Sequence, residues 1–205
     1  MNLANKLTLA RLLATPLFVV SLSVSFTGNY TVALIIFLLA MITDFFDGAL
    51  ARSRGQVTDF GKLLDPLADK ILITSAFIIF VGLKEVMLPA WLVIIIVSRE
   101  FAITGLRLVA AGKNKIIPAG RWGKHKTLSQ VITVSLILVY LCLYYDSRIE
   151  MANYRPLLLI MVAISAAFTI SSGLYYLIRN SRILADLTGD SSVSRKDKSP
   201  LPEKR

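Results

Sequence analysis

Apolar residues along this chain fall into six long runs, at residues 5–27, 30–53, 59–83, 88–112, 126–146 and 154–178. Each is about 20 residues or more, the length with which a helix crosses a bilayer core. The pattern predicts six transmembrane helices and an all-α integral membrane protein. The third run differs from the rest, because its first half holds Asp59, Lys62, Asp65, Asp69 and Lys70 and only its second half, ILITSAFIIFVGL, is uniformly apolar. The chain therefore divides into a six-helix domain over residues 1–185 and a tail over 186–205. The tail's DSSVSRKDKSPLPEKR stretch is polar, Pro-containing and without periodicity, the composition of disordered chain. No internal repeat interrupts this layout.

Composition strengthens the membrane reading. Of 205 residues 55% are hydrophobic, and the mean hydropathy is +0.66, well above the needs of a soluble core of this size. The net charge of +10 would suit nucleic acid in a soluble chain, but here the basic residues sit between apolar runs, where they fix topology. Thr27 to Tyr30 carries no Lys or Arg, whereas Arg52 and Arg54 follow the second run and Lys113, Lys115, Arg121, Lys124 and Lys126 surround the gap after the fourth. The positive-inside rule then makes these connections, and both termini, cytoplasmic. No nucleic-acid partner is needed. Cys142, the single cysteine, lies in an apolar run and reads as a packing residue. Lys6 and Arg11 before an apolar run ending in Ser23, Val24 and Ser25 also fit a signal-peptide pattern. The abundance of other anchors favours keeping this segment as the first span.

Against that background, four aspartates need a reason. Residues advance by about 100° along a helix, so Asp44 and Asp47 share a face with Gly48 and Ala51, and Gly61, Asp65 and Asp69 form a second stripe on the next helix. An antiparallel pair of helices brings four carboxylates together, and close carboxylates repel one another unless a cation lies between them. A hard divalent ion with oxygen ligands meets that demand, and no nearby His or Cys argues for zinc. The bland alternative is an ion-pair network of these aspartates with Arg52, Arg54, Lys62 and Lys70 that locks two helices. Small residues on the acidic face favour a bound ligand, because glycine and alanine vacate the volume that packing would fill.

These residues compose the pattern D-x2-D-G-x2-A-R-x8-G-x3-D-x3-D, matched by Asp44, Asp47, Gly48, Ala51, Arg52, Gly61, Asp65 and Asp69. The chain thereby resembles the CDP-alcohol phosphotransferases, and the likeness in length and six-run layout covers everything before the tail. The resemblance implies that family's fold and an enzyme that moves a substituted phosphoryl group from a CDP-linked donor to an alcohol, releasing CMP. It implies two Mg²⁺ ions, with Mn²⁺ as the other fitting ion, held by Asp44, Asp47, Asp65 and Asp69. Asp69 would also be the catalytic base that takes the proton from the attacking hydroxyl. Arg52 would pair with the donor phosphates through its planar fork, and Gly48, Ala51 and Gly61 would leave room for the donor. Thr58 is expected to face the nucleotide, to cap the third helix, or both. Asn5, Thr8 and Arg11 recur at three-residue spacing on the first helix and are candidates to close the nucleotide pocket; Arg11 reads equally as an ordinary topology charge.

The acceptor alcohol is the open variable. SREFAITGLR (98–107) and PAGRWGKHKT (118–127) place Arg99, Arg107, Arg121, Lys124 and Lys126 around one cytoplasmic mouth. Arg99, the deeper of the two arginines on the fourth helix, needs an anionic partner: Glu100 of a second subunit, or a phosphate on the acceptor. Arg99, Arg107, Lys124 and Lys126 are thus candidates to bind an acceptor phosphate. These stretches and the opening NKLTLAR are similar to those of the bacterial phosphatidylglycerophosphate synthase branch of the family, although Ala4 stands where that branch often has proline. That likeness implies CDP-diacylglycerol and glycerol 3-phosphate as substrates, the bilayer of the bacterial inner membrane as setting, and a homodimer. Inositol phosphate would use the same basic cluster, and serine is a further acceptor. A divalent-cation transporter is the rival of a different class, weakened because spans one, five and six have no acidic residues at corresponding depths to continue a path. His125, flanked by lysines, reads as a surface residue, and Trp122 suits an interfacial belt.

Overall fold

A computed structural model describes residues 3–54, 59–112, 121–148 and 154–181, and of 3–8, 44–54, 59–69 and 121–125 the backbone alone. Among the described residues there are six long helices and no strand: α1 (Leu3–Ser23), α2 (Asn29–Arg54), α3 (Asp59–Gly82), α4 (Ala90–Gly112), α5 (Arg121–Leu141) and α6 (Arg155–Arg179). The six expected helices are all present, with two shifted boundaries. α1 stops at Ser23, ahead of a turn in which Gly28 adopts φ +85°, a left-handed conformation that a glycine enters without steric cost. α5 starts at Arg121, five positions before its apolar run, because the basic segment RWGKH also winds into helix. Its last turn, Cys142–Asp146, widens into a π-helical turn in which Ser147 N–H donates to the Cys142 carbonyl at 3.0 Å. The tail and the connections at 55–58, 113–120 and 149–153 lie outside the described residues.

The helices pack as two triplets. α1 lies against both α2 and α3, α6 lies against both α4 and α5, and the triplets meet where α2 touches α5 and α3 touches α4 and α5. The seam is filled by large apolar side chains, including Phe18, Phe37, Leu72, Phe77, Phe80, Ile96, Ile137 and Leu138, all fully buried.

One end of the bundle is fixed by contacts across the triplets. The Thr31 backbone N–H and hydroxyl both donate to Asp146 Oδ2 at 2.7 Å, so the carboxylate at the end of α5 satisfies the first turn of α2. Tyr154, at the start of α6, reaches the Glu85 carbonyl between α3 and α4. The ends of α1, α3 and α5 and the beginnings of α2, α4 and α6 therefore converge here. The end of α2 and the beginning of α3, which carry the acidic motif, lie at the opposite end, with the end of α4 and the beginning of α5.

Polarity is distributed from the inside out. Leu13, Leu17, Trp91, Ile94 and Ile178 are more than half exposed, while Arg11, Glu100, Lys126, Gln130, Thr133, Ser165, Thr169 and Ser172 are buried. An apolar exterior around an interior that mixes the apolar core with buried polar and charged side chains is the arrangement of a bundle solvated by lipid. The segments Lys126–Asp146 and Arg155–Arg179 are long and apolar enough to cross a membrane, and Leu9–Ser23, Asn29–Thr43 and Lys70–Gly82 add shorter apolar stretches.

Candidate functional site

The acidic motif falls on two continuous helices. Asp44, Asp47, Gly48, Ala51 and Arg52 lie in the last three turns of α2, and Gly61, Asp65 and Asp69 in the first three of α3. Helical backbone through both segments keeps the three- and four-residue spacings that set each group on one face. The four-residue connection between Arg54 and Asp59 limits how far apart the two segments can be, to about 18 Å at full extension. Thr58 lies in that connection, outside the described residues. For these positions, and for Asn5 and Thr8 on α1 and Lys124, Trp122 and His125 on α5, the side chains are likewise outside the described set.

Beside the motif, the described side chains form a charged seam between α3, α4, α5 and α6. Its centre is Glu100, buried on α4. Lys126 Nζ of α5 donates to Glu100 Oε1. Arg99 Nη1 lies 3.3 Å from the same oxygen, and Lys70 Nζ of α3 lies 3.7 Å from Oε2 while also donating to Thr104 Oγ1. Glu100 thus ties one residue of α3, the helix of Asp65 and Asp69, to α4 and α5. A small cavity beside it is lined by Lys70, Thr74, Glu100, Thr127 and Gln130, together with apolar residues of α3 and α4.

Two expectations change here. Glu100 was a candidate partner for Arg99 across a subunit boundary, whereas the ion pair forms within one chain, because Lys126 and Lys70 fold inward to the same carboxylate. Lys126, expected among the cations around the cytoplasmic mouth, is buried, and Glu100 supplies the close counter-charge that an ammonium inside an apolar bundle needs. Arg11 is buried as well, which is not the setting of a surface topology charge.

Arg99 and Arg107 both turn toward α6. Arg99 Nη2 donates to Ser172 Oγ at 3.1 Å, and its side chain crosses Gly173. The Arg107 guanidinium lies over the Tyr176 ring, 5.4 Å from its centroid. The Nε atoms of both arginines are buried and have no hydrogen-bond partner among the described residues. These α6 residues escaped the sequence reading, although Ser165, Thr169, Ser172 and Gly173 at three- and four-residue intervals in an apolar span were a legible sign of a polar, closely approached helix face.

Chemically, the motif offers an all-oxygen donor set at one end of the bundle. The seam beside it gathers three cations on one carboxylate among the described side chains.

Comparison with known proteins agrees with that chemistry. The model of the family described as CDP-alcohol phosphatidyltransferase matches residues 1–178. A Bacillus subtilis (strain 168) protein named CDP-diacylglycerol–glycerol-3-phosphate 3-phosphatidyltransferase is 39% identical over 191 residues, covering 87% of this chain and 95% of its own length. A Mycobacterium tuberculosis (strain H37Rv) protein named probable phosphatidylglycerophosphate synthase is 38% identical over 192 residues, covering 92% of this chain and 84% of the relative. A Haemophilus influenzae protein with the same name as that of B. subtilis is 33% identical over 181 residues, 86% of this chain and 91% of the relative.

Proposed function

The chain belongs to the CDP-alcohol phosphatidyltransferase family, and from that premise we propose that it transfers the phosphatidyl group of CDP-diacylglycerol to sn-glycerol 3-phosphate, yielding phosphatidylglycerophosphate and CMP. The observation that carries this reading is the eight-position motif on α2 and α3, which relates to the donor. The names of the relatives from B. subtilis, M. tuberculosis and H. influenzae support the acceptor.

In this reading Asp44, Asp47, Asp65 and Asp69 hold divalent cations. Four carboxylates without histidine or thiolate fit Mg²⁺, or Mn²⁺, in a two-ion site. Such ions supply charge neutralisation at the pyrophosphate. Arg52 pairs with the donor phosphates, Gly48, Ala51 and Gly61 leave the donor room, and Asn5, Thr8, Arg11 and Thr58 close around the nucleotide. Asp69 accepts the proton of the acceptor hydroxyl as its oxygen bonds to the phosphatidyl phosphorus. The phosphorus–oxygen bond to CMP breaks, and CMP leaves with the electron pair. Arg99, Arg107 and Lys124 receive the acceptor phosphate, with Lys126 contributing charge from its place on Glu100.

The same reading gives six membrane-spanning helices in the bacterial inner membrane, both termini and the motif end cytoplasmic, and a homodimer. The lipid donor then enters from the bilayer and the acceptor from water.

The test is CMP release by purified protein in detergent with CDP-diacylglycerol and Mg²⁺, comparing glycerol 3-phosphate, inositol phosphate and serine. Turnover is expected with glycerol 3-phosphate, and Asp69→Asn should lower it by about a hundredfold or more. Turnover with another acceptor alone would keep the donor chemistry and replace the acceptor. Divalent-cation flux in vesicles without CMP release would replace the enzyme with a transporter.

A further inference from the structure

Arg99 and Arg107 are eight residues apart on α4, about 12 Å along the axis, yet they engage Ser172–Gly173 and Tyr176 on α6, about 6 Å or less apart. The two side chains thus meet α6 about one turn apart, and α6 holds each by a different device. Ser172 Oγ accepts from Arg99, and the Tyr176 ring lies under Arg107. Gly173 supplies the space. A Cβ placed there would lie 3.0 Å from Arg99 Nε, 3.1 Å from its Cγ and 3.6 Å from its Cδ. The first two are tighter than ordinary van der Waals contacts, so a side chain at 173 pushes the Arg99 stem back by a few tenths of an ångström. Glu100 restrains the same guanidinium, because its Oε1 lies 3.3 Å from Arg99 Nη1.

We propose that Gly173 is a positioning residue for the acceptor: by admitting the Arg99 stem against α6 it sets the distance between the Arg99 and Arg107 guanidinium groups that grip an acceptor phosphate. Ser172 fixes the rotation of the same guanidinium. This rests on the phosphate-bearing acceptor proposed above. It adds that the face reading the phosphate is set from α6, which contributes none of the positions in the acidic motif.

Steady-state CMP release by the purified full chain, titrating glycerol 3-phosphate and CDP-diacylglycerol separately, tests the claim. Gly173→Ala should raise KM for glycerol 3-phosphate by about fivefold, and Ser172→Ala by about threefold, with KM for CDP-diacylglycerol unchanged. Gly105→Ala, at a position where a Cβ meets nothing within 4 Å, should match wild type. The decisive comparison is the double variant: in an Arg99→Ala background, Gly173→Ala should add no further change, because its effect runs through that side chain. Additive effects, equal rises in both KM values, or a Gly173→Ala protein indistinguishable from wild type would each overturn the proposal. Wild-type turnover with a different phosphorylated acceptor would leave it standing, with KM read for that acceptor. Absence of CMP release from folded wild-type protein would overturn the proposed activity and this inference with it.

Discussion

The two ends of the bundle are both polar, and they handle polarity in opposite ways. At one end, Tyr30, Tyr140, Tyr144, Tyr145 and Tyr154 pack on one another, with Tyr140 and Tyr154 stacked at 3.9 Å between ring centroids, and Asp146 closes the first turn of α2. The contacts there are made by rings and by backbone, and the result joins two triplets of helices. Toward the other end, Glu100 gathers Lys70, Arg99 and Lys126, and Arg107 rests on Tyr176. Charged side chains of α3, α4 and α5 are concentrated there around one buried carboxylate, and a membrane interior holds such groups mainly at functional sites. Aromatic polarity spread over many contacts serves as structure, whereas concentrated charge inside a bundle is the mark of a binding site.

Glu100 is where this contrast breaks most readily. Replacing it with alanine removes the one described carboxylate that three cations share and takes from the buried Lys126 the counter-charge it donates to. A loss of about 3–5 kcal/mol in stability is expected, read by thermal or denaturant unfolding in detergent. Should Glu100→Ala remain as stable as wild type and bind glycerol 3-phosphate more tightly, the carboxylate would instead be competing with the acceptor for the same cations. The seam would then be a binding surface from α3 to α6, with no structural share.

How much of this was legible in the sequence follows the physics of each feature. The six helices were, because a run of about 20 apolar residues has few other fates, and the acidic motif was, because its spacing encodes a helix face. The destinations of the charged side chains were not. Lys126 and Arg99 look alike beside a basic loop, and only the packing of α4 against α6 and of α3 against α5 decides that one turns to Glu100 while the other also reaches Ser172. Asp146 was equally opaque: its partner, Thr31, is 115 positions away. Gly173 carried a partial sign, a glycine in a polar stripe, but the arginine that crosses it belongs to another helix.

Asp146 sharpens the comparison from the other side. Asp146→Ala removes two hydrogen bonds to a side-chain oxygen and leaves the first turn of α2 uncapped, at an expected cost of about 1–2 kcal/mol. Because it acts far from the motif, KM for both substrates should stay at wild-type values in protein that remains folded. A selective change in acceptor KM would mean that the two ends are mechanically coupled through α2 or α5, and the division between a structural and a binding end would fail.

The smallest effect is the most discriminating about what the tyrosine end is made of. Tyr154 Oη reaches the Glu85 carbonyl at 3.5 Å, the outer limit of a hydrogen bond, whereas its ring lies face to face with Tyr140 and 5.6 Å from Tyr144. If the rings carry the stabilisation, Tyr154→Phe should change unfolding stability by less than about 0.5 kcal/mol. Tyr154→Ala, which removes the stack, should cost about 2–3 kcal/mol. The reverse ranking, with the hydroxyl mattering as much as the ring, would mean that this end is a hydrogen-bonded network after all. The two polar regions would then differ in net charge and no longer in kind.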